Sequence, residues 1–499
     1  MNRDELQSRD IQRIRDSIKG GSRAPLFVAP CGYGKSNIAT RITHSAFQNN
    51  RSVVILNPRR ELVHQVQENM TRLGIPFGTI MSGERPSLLP SVQIASVPSL
   101  HRRGIVDRRI DMPRADCVII DEAHEGTFGQ CKDVIDHYRK RGAVTVGLTA
   151  TPARPSDGRG LGEVYDDLIL GPSIGDLIGM GYLVQPVHFR GDGPDLDGVA
   201  VNNDYVESQV SQRVRDPILV GAVVSNWFRL ASDRKTLVFA ANRAHARHLC
   251  DEFAGHGVAA EYVDANTETD ERRRIHDRFA GDKTQLLVNV GIYTYGVDIP
   301  PISCIVMATP TKSIVKFLQC TGRGLRASPG KSNCYILDHG HCTKDCGFVD
   351  DEQPWSLDGK TRIQQERSKQ KVTEAKEIEC RQCNAIFRAA TQCPNCGSDM
   401  KSENRRAIAE LEADLLELDR KTRAAMPKSY TIMDKQHWWS GLLQIAGSRG
   451  KPRSMALALY KAKFGVWPRG LVDTPLPPMP EVLSWEHSQR IRWSKGRSR

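Results

Sequence analysis

Two spaced glycines followed by a lysine and a serine, Gly32-Tyr33-Gly34-Lys35-Ser36, are residue types that can hold phosphate. Backbone N–H groups at a helix N-terminus point at phosphate oxygens, and glycine lets the chain approach them closely. Lys35 adds a mobile positive charge, and the Ser36 hydroxyl can reach Mg²⁺. Farther along, CVIIDEAH at 117–124 ends an apolar run in two carboxylates. Asp121 is a hard oxygen ligand suited to Mg²⁺, and Glu122 can take a proton from an attacking water. A third cluster, Cys380-x₂-Cys383 and Cys393-x₂-Cys396, can aim four thiolates at one tetrahedral Zn²⁺. Four sulfurs leave no open position, so that ion would be structural and would stabilise a module too small for a core of its own.

These groups need rigid elements behind them. Residues 24–29 are an apolar run, and Ile38, Ile42 and Ala46 follow at helical spacing, so the phosphate loop joins a strand to a helix. Strand-like runs recur at 52–57, 92–97, 117–121 and 143–149, and Leu62, Val63, Val66, Met70 and Leu73 show helical period between the first two. The pattern restarts at 236–241, 259–264, 285–290, 304–309 and 334–338. Strands alternating with helices predict two tandem parallel-sheet α/β domains, joined near 185–190. The expected organisation is 1–186 and 187–350 for these domains, then a linker at 351–376 and a zinc ribbon at 377–400. An amphipathic helix at 401–425, with Ile408, Leu411, Leu415 and Leu418 on one face, and a basic, mainly helical region at 426–499 complete it.

The chain has 499 residues, enough for several cores, and a net charge of +12. That balance favours a polyanionic partner, nucleic acid before membrane. Thirteen cysteines argue against a disulfide framework. The N-terminal segment has no apolar signal core, and no long apolar run follows. A reducing cytoplasm, close to the nucleoid, is the expected compartment.

The order APCGYGKS, DEAH, TAT (149–151), QCTGRGLR (319–326) resembles the superfamily 2 helicases and translocases of the DEAD/DEAH-box type. In that superfamily A-x-x-G-x-G-K-[ST] is an ordinary phosphate loop, so Ala29, where the commoner pattern has glycine, marks a lineage. The resemblance covers about 1–350 and implies two RecA-like domains with ATP and Mg²⁺ between them. It implies that Gln7 reads adenine, that Gly296 and Asp298 approach the nucleotide, and that Arg323 and Arg326 are arginine fingers. His124, Thr149, Thr151 and Gln319 fall at positions that couple the nucleotide to the nucleic-acid groove, while Arg60, Ser96 and Thr294 fall at phosphate-contact positions. Within the superfamily the segments 149–184, 309–326 and 334–340 and the C-terminal KAKFGVWP are most similar to RadD-like ATPases and their phage relatives. That group implies a DNA-directed ATPase, on single-stranded or branched DNA, in repair, recombination or replication.

Strand-separating helicase, translocase or remodeller without strand separation, and passive zinc-containing nucleic-acid-binding protein are the functions to be weighed, with RNA as the alternative substrate. In the tail, Trp438, Trp439 and Trp467 read as the core of a small helical domain. The final RIRWSKGRSR reads either as a nucleic-acid contact or as solvated chain. His339, His341, Cys342 and Cys346 offer a second, weaker metal-ligand set.

Overall fold

The computed structural model describes residues 2–125, 129–154, 160–191, 193–197, 199, 201–202, 204–205, 209–210, 213–214, 217–293, 299–358, 377–388, 390–400, 432–464, 466–468, 470–479, 481–483 and 485–486. The chain divides into two compact units, Met1–Glu403 and Asn404–Arg499.

The first unit holds two sheets. The first has strands β1 (Pro25–Val28), β2 (Val53–Asn57), β3 (Phe77–Ile80), β4 (Val92–Ser96), β5 (Cys117–Ile120), β6 (Val144–Thr149) and β7 (Asp167–Leu170). They run parallel in the order β3-β4-β2-β5-β6-β1-β7. β2 is buried along its whole length because helices cover both faces. Its side chains alternate between two cores: Val53 and Ile55 join one, Val54 and Leu56 the other.

The second sheet contains β8 (Gln185–Arg190), β11 (Thr236–Ala240), β12 (Ala260–Val263), β13 (Leu286–Asn289), β14 (Cys304–Ala308) and β15 (Asn333–Asp338). Between β8 and β11 lies a two-stranded ribbon, β9 (Val201–Asn202) with β10 (Asp204–Tyr205). β8 begins the second sheet inside the expected join, and pairs with β15. The hairpin β16 (Glu377–Glu379) and β17 (Ile386–Arg388) extends this sheet, giving the order β12-β13-β11-β14-β15-β8-β17-β16. β17 meets β8 antiparallel at Ile386 and His188. The cysteine-bearing segment therefore covers the edge of the second sheet, and Cys380, Phe387, Cys393 and Met400 share that domain's core.

Residues 351–358 are a strap rather than a free linker. Asp351 Oδ2 accepts hydrogen bonds from Phe348 N (2.8 Å) and Arg388 Nη2 (2.7 Å), on the side of the second sheet. Six residues on, the Leu357 carbonyl accepts from Gly162 N at 3.0 Å, and Trp355 packs against the core cluster that runs through both domains and against the second core of the first. The rest of the expected linker and the leucine-faced helix at 401–425 lie outside the described residues.

In the second unit, helices Ile432–Ser448 and Arg453–Phe464 pack around Trp438, Trp439, Leu442, Leu459 and Tyr460. The two first tryptophans are core residues as expected; Trp467 is not, with 46% of its surface exposed. It follows the second helix in a proline-containing stretch that leaves its ring outside the core. Among the described residues, no helix is long and apolar enough to cross a membrane.

Candidate nucleotide cleft

The groups singled out in the first domain gather at one edge of its sheet. The phosphate loop follows β1, Asp121 and Glu122 follow β5, and Thr149 ends β6. The adjacency of β5, β6 and β1 brings three separate sequence motifs together at the strands' carboxyl ends.

The loop needs its glycines. Gly32 and Gly34 have φ of 87° and 98°, in the left-handed region. A Cβ on Gly34 would lie 2.7 Å from Gln7 Nε2. Gly34 is the N-cap of the helix Lys35–Gln48 and no side chain caps it, so that end is open to an anion. Lys35 Nζ donates to the Ala29 carbonyl (3.0 Å) and the Pro30 carbonyl (3.3 Å), within the loop it serves.

The N-terminal helix Arg3–Lys19 braces this loop. Gln7 is buried; its Nε2 donates to the Tyr33 carbonyl at 3.0 Å, and its Oε1 accepts from Asn37 Nδ2 at 2.6 Å. The Tyr33 hydroxyl donates to Asp10 Oδ2 at 2.7 Å; burial and then that carboxylate hold the phenol well above its usual pKa. Arg3 donates to the Gly32 carbonyl, and its guanidinium lies 5.2 Å from the centre of the Tyr182 ring. Sequence reading passed over Arg3, Asn37 and Tyr182. Asn37, one turn into the loop's helix, was the one with a positional signal.

Asp121 and Glu122 are 6% and 9% exposed. Burial, then the neighbouring Glu122 charge, raises the Asp121 carboxyl, while Lys35 opposes the shift. Glu122 has φ of 49°, a left-handed conformation for a residue with a side chain, and its Oε2 accepts no hydrogen bond among the described residues. Two buried carboxylates with acceptor capacity left over, next to an ammonium and a serine, fit a hydrated divalent cation. Ser36 and Asp121 would hold it.

His124 is fully buried, and burial lowers its pKa, so the ring is neutral. Its Nδ1 is 2.9 Å from Thr149 Oγ1. That hydroxyl donates to the Thr151 carbonyl and accepts from Thr151 N, both at 3.1 Å. His124 Nδ1 also lies 3.5 Å from Glu122 Oε2. The strand-end acids and the threonine pair are thereby linked.

The second domain supplies the opposite wall. Lys35, Ser36, Asp121, Glu122, Arg323 and Arg326 all line one cavity of about 300 Å³. The helix Ile314–Thr321 ends against the phosphate loop: a Cβ on Gly322 would lie 2.9 Å from Cys31 Cβ, and Cys31 Sγ is 3.3 Å from Gln319 Oε1. Val184 N donates to the Leu325 carbonyl at 2.8 Å, beside a backbone bridge between Leu183 and Arg326. Lys331 Nζ donates to the Arg326 carbonyl (2.7 Å) and the Pro300 carbonyl (3.0 Å), bracing the arginine loop; burial lowers its pKa to about 8. Behind the phosphate loop a second cavity, about 270 Å³, lies among Ala29, Pro30, Leu318, Leu325 and the strap's Trp355.

Other expected site residues are less well placed. Arg60 is exposed at the start of the helix Arg60–Arg72, where its Nη2 donates to the Ser82 carbonyl at 3.5 Å. Ser96 is 5% exposed and donates its hydroxyl to Ser99 Oγ at 2.8 Å, so its side chain does not face solvent. Thr294, Gly296 and Asp298 lie outside the described residues.

The four cysteines converge. Their sulfurs all lie within 4.8 Å of one another, with Cys380–Cys396 and Cys383–Cys393 at 3.7 Å. Tetrahedral ligands at about 2.3 Å from Zn²⁺ would be about 3.8 Å apart, so the set fits that ion. Each turn closes alike: Asn384 N donates to the Cys380 carbonyl and Gly397 N to the Cys393 carbonyl, with left-handed φ at Asn384 and Gly397. Among the described residues this is the metal-type cluster; Cys342 and Cys346 instead point their thiols at the Thr309 and Thr311 carbonyls.

Residues 1–154 match the family model described as type III restriction enzyme, res subunit, and residues 220–328 match the helicase conserved C-terminal domain. The chain is 25% identical over 438 residues to a 51.5 kDa protein of a Lactococcus phage, covering 87% of this chain and 91% of that one. It is 28% identical over 358 residues to the Saccharomyces cerevisiae protein described as ATP-dependent helicase IRC3, covering 67% of this chain and about half (51%) of that one. A fragment of an HsdR-type subunit of a type I restriction enzyme from Vibrio vulnificus shares the fold, with a TM-score of 0.55 at 21% identity over 71% of this chain and 66% of that one. The chain carries the two helicase domains, and its homologues are superfamily 2 helicases, consistent with the DEAD/DEAH type. Helicase domains and helicase-named relatives support a nucleic-acid-dependent ATPase.

Proposed function

We propose that the protein is an ATP- and Mg²⁺-dependent motor acting on single-stranded or branched DNA in repair, recombination or replication, at the nucleoid and alongside other proteins of those processes. The observation that carries the reading is the single cavity lined by Lys35, Ser36, Asp121 and Glu122 from one domain and Arg323 and Arg326 from the other. Mg²⁺ at Ser36 and Asp121 would neutralise phosphate charge. Gln7, expected to read adenine, instead braces the loop: both ends of its buried amide are engaged, with the Tyr33 carbonyl and with Asn37. Water attacks the γ-phosphorus of ATP, the bond to the β-phosphate oxygen breaks, and Glu122 takes the water's proton. Charge on the departing groups is met by two guanidinium forks. Because the forks arrive with the second domain (187–350), hydrolysis is tied to closure on the first (1–186). The nucleic-acid grips on the two halves then move relative to each other, and the His124–Thr149–Thr151 link carries the signal within the first half. Cys380, Cys383, Cys393 and Cys396 would hold Zn²⁺, which would fasten the hairpin to the second sheet.

DNA is favoured by the match to a restriction-enzyme model at 1–154 and by the net charge of +12. ATP turnover measured with single-stranded, duplex and branched DNA and with RNA tests the reading. Stimulation by DNA, lost in Lys35→Ala while DNA binding persists, supports it. Turnover that no nucleic acid raises would return the passive binding protein to favour; stimulation by RNA alone would reassign the substrate. A forked duplex beside a triplex-displacement substrate separates strand separation from translocation.

A further inference from the structure

The C-terminal unit uses its tryptophans in two ways. Trp438 and Trp439 are 1% and 0% exposed and form its core, while Trp467 keeps 46% of its surface open. Each of the three has a cation over its ring: Lys463 at 4.3 Å from Trp438, Arg453 at 5.4 Å from Trp439 and Lys461 at 4.4 Å from Trp467. The first two cations sit over buried rings, and Arg453 is also paired with Asp473 at 2.6 Å. Lys461 is exposed and makes no ion pair among the described residues. An open indole beside an uncompensated ammonium is an unusual surface to leave in water.

We propose that Trp467 and Lys461 form an accessory binding site for single-stranded nucleic acid on the C-terminal unit, distinct from the contacts of the two helicase domains. A base stacks on the indole, and the ammonium meets the adjoining phosphate. Pro468 follows the tryptophan directly and stiffens the chain that presents it. Charge selects this occupant over an apolar protein segment. Lys435, Lys451 and Lys461 are all without a carboxylate partner among the described residues, and the thirteen residues after Glu486 contain five lysines and arginines and no acid. Duplex is a poorer ligand because its bases are already stacked on each other.

The test is fluorescence anisotropy of the full chain, without nucleotide, on labelled oligo(dT), oligo(U) and a duplex. Binding without ATP is independent of whether the cleft hydrolyses ATP. Trp467→Ala should weaken single-strand binding at least about five-fold, as loss of one stacked base predicts, and duplex binding much less. Trp467→Phe should keep most of the affinity. Lys461→Glu, a change at an exposed position, should weaken single-strand binding and flatten the log–log salt dependence by about 0.7 or more per lost phosphate contact. Basal ATP turnover should be unchanged in all three. Affinities of Trp467→Ala and Lys461→Glu within two-fold of the parent on both single strands would overturn the proposal, as would an equal loss on duplex. If Trp467→Ala lowers the melting temperature, Lys461→Glu alone decides.

Discussion

Gly32 sits where the two domains cross, and a single methyl there should stop the motor. Its φ of 87° is one that a residue with a Cβ adopts at a cost of about 1–2 kcal/mol. A Cβ would also lie 2.9 Å from Leu183 Cδ2 and 3.3 Å from Arg326 Cγ, an overpacked contact worth about 1–3 kcal/mol. Both terms act on the loop that holds the phosphates, and the Arg326 contact acts where the second domain meets it, so Gly32→Ala should raise the barrier by about 2–5 kcal/mol. That corresponds to a loss of about 30- to 5,000-fold in kcat. Adding Leu183→Ala removes the nearest clashing atom and leaves the backbone term, so the double variant should stay about 5- to 30-fold below the parent. The assay is steady-state ATP turnover at saturating DNA, with nucleotide-free DNA binding as the control that should hold, and with melting temperature reporting the backbone strain separately. A Gly32→Ala protein turning over within three-fold of the parent would refute the view that this closed arrangement is the hydrolytic one.

Arg326→Ala should lower kcat by about 100-fold or more with a smaller change in KM, and Arg326→Lys should recover only part, since an ammonium lacks the planar fork; equal kcat and KM effects would point to binding instead. Chelation of zinc, or Cys393→Ser, should lower the melting temperature of the second domain itself, because Cys380 and Cys393 belong to its core; calorimetry that finds this transition unmoved would contradict the shared core. Trp355→Ala should weaken the strap's hold on the first domain and cost about 3–5 kcal/mol at most, given its partial burial, read as a lower urea midpoint with more protease cutting near the strap; unaltered cutting and midpoint would count against it. Burial alone would raise the Glu261 pKa, but hydrogen bonds from Arg278 and Thr284 and the Arg278 charge outweigh it and the net shift is downward. Its stabilisation is therefore present above the unfolded value near 4.5 and lost as pH falls through the lower folded value; Glu261→Gln should flatten that acid limb of urea stability, and an unchanged limb would disprove the linkage.

Local pattern made much of the fold legible. Fully buried parallel strands such as β2 are unbroken apolar runs, and the phosphate loop is written in consecutive residues. β3, β7 and β8 were missed for a physical reason: Phe77-Gly78-Thr79-Ile80 includes a glycine, Asp167–Leu170 begins with an acid at a sheet edge, and Gln185–Arg190 has polar ends and a proline. Hence the cysteine hairpin, which pairs with β8, reads from the sequence as a separate module. Arg3 and Tyr182 reach the cleft only through tertiary packing, so no spacing could announce them. Trp467 has the composition of a core residue, and its exposure depends on where the helix before it stops. Ser96 sits at a strand end as expected, but its hydroxyl is spent on Ser99.

The central claim is that both domains meet one triphosphate. An ATP analogue carrying a photoreactive group on its γ-phosphate, irradiated with the full chain and mapped by peptide mass spectrometry, measures this directly. Label should appear both in the phosphate-loop peptide around Cys31–Ser36 and in the peptide around Arg323–Ala327, and excess ATP should remove it from both. Label confined to the first domain, under conditions where ATP is turned over, would contradict the account.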